Sequence, residues 1–150
     1  VRIAEAAAVL SVLGWAGALT VFDLAQRRLP NVLTLGGAAV ILAGAACAGR
    51  GMPALLGAAA LAGPYLVVHL ADPAALGGGD VKLAFAVGGL TGALGLPVWA
   101  LAAIGAPLLT AAAGVVLAVG RLVGRSSAAT LPHGPSLCAA SLAAAALAVL

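Results

Sequence analysis

The sequence predicts an all-α, polytopic integral membrane protein, about six transmembrane helices in a compact bundle. Three observations carry that expectation. Hydrophobic residues fill 64% of the 150 positions and charged residues only 7%. A soluble domain carries about 25% charged residues, so this chain lacks the polar surface to cover itself in water. Its apolar runs also recur at about the 20-residue length a helix needs to cross hydrocarbon. Open strands are excluded there, because their backbone groups would go unpaired in lipid.

The elements follow in order, near 3–22, 32–49, 53–71, 81–96, 97–119 and 135–150. Arg2 and the run from Ala6 to Phe22 resemble a signal peptide. The run is longer than the usual hydrophobic region of about 7–15 residues, so it reads as a retained first helix. Pro30 and Asn31 mark the start of the second span: proline fixes the turn and asparagine caps the helix. The third span ends at "ADP", where Asp72 before Pro73 reads as a helix stop. The fourth is short and rich in glycine (Gly88, Gly89, Gly92, Gly95). Small residues let membrane helices approach closely, which favours a compact bundle. The connections are brief, so residues 1–150 read as a single membrane-embedded domain.

Charge sets the expected orientation. The loops after spans one, three and five hold Arg27, Arg28, Lys82, Arg121 and Arg125, against Arg2 and Arg50 on the opposite side. By the positive-inside rule the first set faces the cytoplasm and both termini face outward. Asp23, Asp72 and Asp80 then share the cytoplasmic face. Glu5, three positions after Arg2, reads as half of an ion pair at the outer boundary. The net charge of +3 is small and scattered, with no basic stripe and interleaved aromatics, which argues against nucleic-acid binding. Cys47 and Cys138 form no CxxC pair, so they read as buried free thiols rather than zinc ligands. No metal site is expected.

Two acids stand out from this background. Asp23 follows the first apolar run and Asp80 opens the fourth span. Acids at membrane depth are costly, which makes them functional candidates. Gly77, Gly78 and Gly79 precede Asp80, and a glycine loop permits close backbone approach by an extended peptide. Two carboxyls about 3 Å apart share a proton, so that one acts as acid while the other acts as base. Asp80 starts a helix and is expected to be the ionised base; Asp23 ends one and is expected to carry the proton. The serines lack a GxSxG elbow and no HExxH is present. Lys82, two positions after Asp80, faces away from it and is expected to meet headgroups or position substrate. Arg27 would reach Asp23 if the first helix runs on by a turn. His69 reads as an interfacial polar residue and His133 as a loop residue.

"DLAQRRLPN" followed by "GGGDVKLAFAVGGLTG" resembles the type IV prepilin peptidases, membrane aspartyl proteases with a GxGD signature. Asp23 with Pro30 and Asn31 matches the family's first motif; Gly77, Gly79, Asp80, Lys82 and Leu83 match GxGDxKL. "LPHGPSL" is similar to a Pro-x-Gly-Pro element before the last helix, formed here by Pro132, Gly134 and Pro135, with His133 where an aromatic is common. The resemblance covers nearly the whole chain. It implies an aspartic-type endopeptidase, catalytic through Asp23 and Asp80, with no cofactor. Its partners would be membrane lipid and the precursors of pilins and pseudopilins, cut after a basic leader. The enzyme would lie in the inner (plasma) membrane, with its site facing the cytoplasm. Larger relatives add a cysteine-containing domain and methylate the new N-terminus. This chain resembles the short peptidase-only members of Flp or tight-adherence pili, without N-methyltransferase activity. Two other classes fit a membrane chain with paired acids: a small transporter or channel subunit, and a non-catalytic secretion-assembly protein. Acids gathered at one face rather than at the midplane count against the transporter.

The charge asymmetry makes a direct prediction. Cysteines introduced near Gln26 and Ser126 should be shielded from a membrane-impermeant reagent in intact cells, and cysteines near Gly51 should react. Labelling near Gln26 would invert the orientation.

Overall fold

A computed structural model of the chain has six α-helices: α1 (Arg2–Gln26), α2 (Asn31–Cys47), α3 (Gly51–Ala71), α4 (Gly78–Leu94), α5 (Leu96–Leu122) and α6 (Gly134–Val149). It describes residues 2–26, 30–74, 76–122 and 134–149. Arg27, Arg28, Arg125, Pro132 and His133, and the side chains of Arg2, Glu5 and Arg121, lie outside what is described. The all-helical bundle is as the sequence predicts. Ala7–Gln26, Gly51–Ala71 and Leu96–Gly120 are long and apolar enough to cross a membrane, and Asn31–Cys47 and Pro135–Ala146 are shorter apolar helices.

Large apolar side chains stand exposed along these helices: Leu10, Val40, Leu56, Leu101 and Leu108 all face outward. In water such a surface would aggregate; in lipid it is the solvated face. Hydroxyls inside the bundle bond their own helices instead of water. Thr20, Thr91, Thr110 and Ser141 each donate to the carbonyl four residues back, at 2.6–3.1 Å.

The interior is built from small residues, with α4 at its centre. Helix α4 packs against α2, α3, α5 and α6, and most extensively against α3. Gly57 of α3 and Gly88 and Gly92 of α4 make that contact. A Cβ on Gly88 would stand 2.5 Å from the Gly57 carbonyl oxygen, and one on Gly92 2.6 Å from that of Pro53. Trp99 of α5 closes the seam by donating from Nε1 to the Gly57 oxygen at 3.0 Å. One core then joins Ala16 and Leu19 of α1, Leu61 of α3, Leu83 and Val87 of α4, Ala106 of α5 and Leu137 of α6.

The α2–α3 turn is stapled locally. Gly49 takes φ 73°, and the N–H groups of Gly49 and Arg50 return to the carbonyls of Ala46 and Ala45, the double bond of a Schellman cap. Arg50 also donates to the Ala93 carbonyl at 3.0 Å, a cation at the C-terminal end of α4 where the helix dipole welcomes it. The start of α4 therefore lies at the opposite end of the bundle, beside the ends of α1 and α3.

Cys138 is buried, as expected, but Cys47 is exposed. An apolar residue in lipid gains no more from the protein interior than from the bilayer, so an apolar run does not place its thiol inside.

A methyl group on Gly88 would meet the Gly57 carbonyl oxygen at 2.5 Å and the Leu61 Cβ at 2.8 Å, atoms that can move only with the α3 backbone. Gly88→Ala should destabilise the fold by about 1–3 kcal/mol. Gly17→Ala, at a mid-helix site with nothing within 4 Å, should stabilise it by about 0.4–1 kcal/mol. Reversible unfolding in mixed micelles reads both; equal effects would refute the packing account.

Candidate active site

Asp23 belongs to the last turn of α1, which runs on to Gln26 rather than ending before the acid. It falls on the helix face that already buries Ala16 and Leu19, and this carboxylate is only 7% exposed. Face, not position in the chain, explains its burial: residues three and four apart share one side of a helix.

Asp80 lies in the first turn of α4, where the helix N-terminus favours negative charge. Its N–H donates to the Gly77 carbonyl at 3.1 Å. Gly77 is the extended N-cap (φ −70°, ψ 149°), and the Asp80 side chain folds back over it, with Oδ2 3.5 Å from where a Cβ on Gly77 would stand. The glycine run is thus only partly a loop. Gly78 and Gly79 are already helical, because a helix can start wherever its first N–H groups find other partners.

The two acids, far apart in the chain, meet at this end of the bundle. Asp23 lies near enough for its charge to act on Asp80. Cys138 of α6 borders the same place: its thiol bonds Thr20 and also feels Asp23. Pro135, three residues earlier, is half-buried at the same end of α6, and Gly134 opens that helix. A proline in the first turn gives up only an N–H that the helix does not use.

Two expected roles change. Asn31 does not cap α2. Pro30 is the N-cap residue, and its carbonyl accepts from the N–H groups of Leu33 and Thr34 at 3.0 and 3.1 Å. The Asn31 Oδ1 instead accepts a hydrogen bond from Lys82 Nζ at 2.6 Å. Lys82 therefore ties the first turn of α4 to the first turn of α2, rather than reaching for headgroups. A short, charge-assisted bond of this kind outweighs a mobile headgroup contact. The amide must turn its oxygen to the ammonium, which can only donate.

Asp72 ends α3 as expected. Its N–H bonds the Val68 carbonyl at 2.8 Å, and its Oδ1 accepts from the N–H of Ala74 at 3.0 Å. It is exposed, turned into its own loop. Arg27, Pro132 and His133 lie outside the described residues.

Two residues at this end gave no strong signal in the sequence. Tyr65 is half-buried on α3 and feels the Asp80 charge. His69, one turn later on the same helix face, contacts the Leu76 carbonyl through Nδ1 at 2.7 Å. Their spacing of four, in the helix that leads into the glycine run, is the pattern that would have exposed them. Among the described residues no group of three or more His, Cys, Asp or Glu side chains could hold a metal ion.

The family model described as the type IV leader peptidase family matches residues 10–119, a span that includes both acids, the glycine run, Asn31 and Lys82. No curated protein and no solved structure matches the chain.

The Asn31–Lys82 bond should be measurable as a coupling. In a double-mutant cycle with Asn31→Ala and Lys82→Met, thermal unfolding in detergent should give an interaction energy of about 1 kcal/mol. Strict additivity would mean the bond does not join the two helices.

Proposed function

Since the chain belongs to the type IV leader peptidase family, we propose that Asp23 and Asp80 form its catalytic dyad and cut the basic leader from prepilins or pseudopilins. The observation that carries this is that the two acids, at the end of α1 and the start of α4, lie at one end of the bundle, near enough for the charge of Asp23 to act on Asp80. Two nearby carboxyls cannot both ionise cheaply, so the pair holds one proton between them.

That shared proton is what peptide hydrolysis requires. The ionised carboxylate takes a proton from water as the water oxygen attacks the scissile carbonyl. The protonated partner donates to the carbonyl oxygen, giving a neutral tetrahedral diol. One carboxyl then gives its proton to the amide nitrogen while the other takes a proton from a diol hydroxyl, so the C–N bond breaks and the pair ends with one proton, as it began. The helix ends favour Asp80 as the base and Asp23 as the proton carrier. An extended substrate would lie along Gly77, which is exposed and carries no side chain. Gly78, Gly79, Pro30, Asn31, Lys82, Gly134 and Pro135 shape the site around it. The excess of Lys and Arg that the sequence places in the segments after spans one, three and five supports a cytoplasmic site.

Helix connections such as 27–30, 48–50 and 72–77 are too short to hold a folded unit. We extend the same reading to cleavage without methylation of the product. Asp23→Asn and Asp80→Asn should each abolish cleavage of a precursor while the protein stays in the membrane, because an amide can neither share the proton nor activate water. Asp72→Asn should keep most activity. Mass spectrometry of the cleaved product should show an unmodified N-terminal amine. A dead Asp72→Asn beside an active variant at either other aspartate would move the site elsewhere, and a methylated amine would add a second activity.

A further inference from the structure

The approach to Asp80 depends on a segment with little to hold it. From Asp72 to Gly77 the chain leaves one helix and enters another, and its Leu76 N–H to Asp72 carbonyl bond is long at 3.4 Å. Three glycines follow, and glycine has the most conformational freedom to lose. His69 meets this segment from α3. A carbonyl oxygen only accepts, so His69 Nδ1 carries a hydrogen and donates it to Leu76 at 2.7 Å. The far edge of the same ring lies against the glycines: a Cβ on Gly78 would stand 3.5 Å from Nε2 and 3.6 Å from Cε1. The imidazole is therefore wedged between the residue before the glycine run and the first residue of α4.

We infer that His69 is a positioning residue: its Nδ1–H bond to the Leu76 carbonyl, with its ring seated on Gly78, holds the glycine turn in the conformation that presents Asp80 to Asp23. The inference rests on the catalytic reading of Asp80. Tyr65 supports it from one turn earlier, since it places the face of α3 that braces the turn within reach of the Asp80 charge. Rigid support from a packed helix is what a glycine turn cannot supply for itself, and a displacement of about 1 Å at a reacting group can cost about a hundredfold in rate.

The side-chain isosteres separate this role from simple filling of space. Asparagine can place an N–H where Nδ1 stands; glutamine places its amide near Nε2; phenylalanine fills the ring volume with no donor. The full chain, reconstituted in liposomes, would be assayed on a synthetic precursor with a basic leader followed by an apolar segment. His69→Phe and His69→Gln should lower kcat about ten- to a hundredfold with KM within about threefold, and His69→Asn should recover most of the loss. Hydrogen exchange at the amides of Gly78 to Asp80 should quicken in the Phe and Gln proteins only, while the middle of α3 stays protected. Wild-type kcat in His69→Phe, an Asn protein as defective as the Phe protein, or unchanged exchange in His69→Phe would overturn the inference. Asp80→Asn, run alongside, keeps the two readings apart. If it still cleaves, the catalytic reading falls, whereas exchange continues to report on the turn.

Discussion

Where the carbonyl oxygen of Gly57 lies against Gly88, and Gly92 against the carbonyl of Pro53, the backbones of helices α3 and α4 come into direct contact. Lipid tails are as apolar as leucine, so a membrane bundle gains little by hiding leucines from them; it gains by packing that lipid cannot match. Glycine-to-backbone contact is the closest packing available. It places α4 at the centre, lets Trp99 reach the Gly57 carbonyl, and leaves Leu83 and Val87 to fill the space that α1, α5 and α6 close from the other sides. Because α4 is held so tightly along its middle, its first turn has a defined place, and Asp80 with it.

The two ends of α4 are finished differently, and the difference follows from the helix dipole. At the C-terminal end Arg50 bonds the Ala93 carbonyl, cation to negative pole. At the N-terminal end Asp80 is the favourable charge and Lys82 the unfavourable one. Asn31 accepts the lysine's hydrogen bond there, so the ammonium is turned toward α2. The polar end is thus assembled from α1, α2, α3, α4 and α6 together, each contributing a residue or two. Asp23 comes from the first of these, on a face buried for reasons of packing. An acid on that face is carried into the interior whatever its own preference for water.

Much of this was legible in the chain. The composition named lipid as solvent, and the helix order and the stop at Asp72 followed from local chemistry, as did the singling out of Asp23 and Asp80 as candidates. The misread residues share a cause. Asn31 is a good N-cap by type, but Pro30 already occupies that position, and a lysine from a distant segment claims the amide. His69 is an ordinary helix-end polar residue until the turn folds back onto it. Cys47 and Cys138 sit in similar apolar runs, yet one faces outward and the other lies beside Thr20 and Asp23.

What the sequence determined by itself was therefore the solvent, the secondary structure and which residues are costly at membrane depth. Each of these is a local or compositional property: transfer energies, helix length, charge at membrane depth. Only the tertiary structure decided which face of each helix is inner and which polar groups meet. Helices that are apolar on every side carry no amphipathic stripe to announce their buried face. That choice falls to the fit of small residues against a neighbouring backbone, and the fit exists only once both helices are in place.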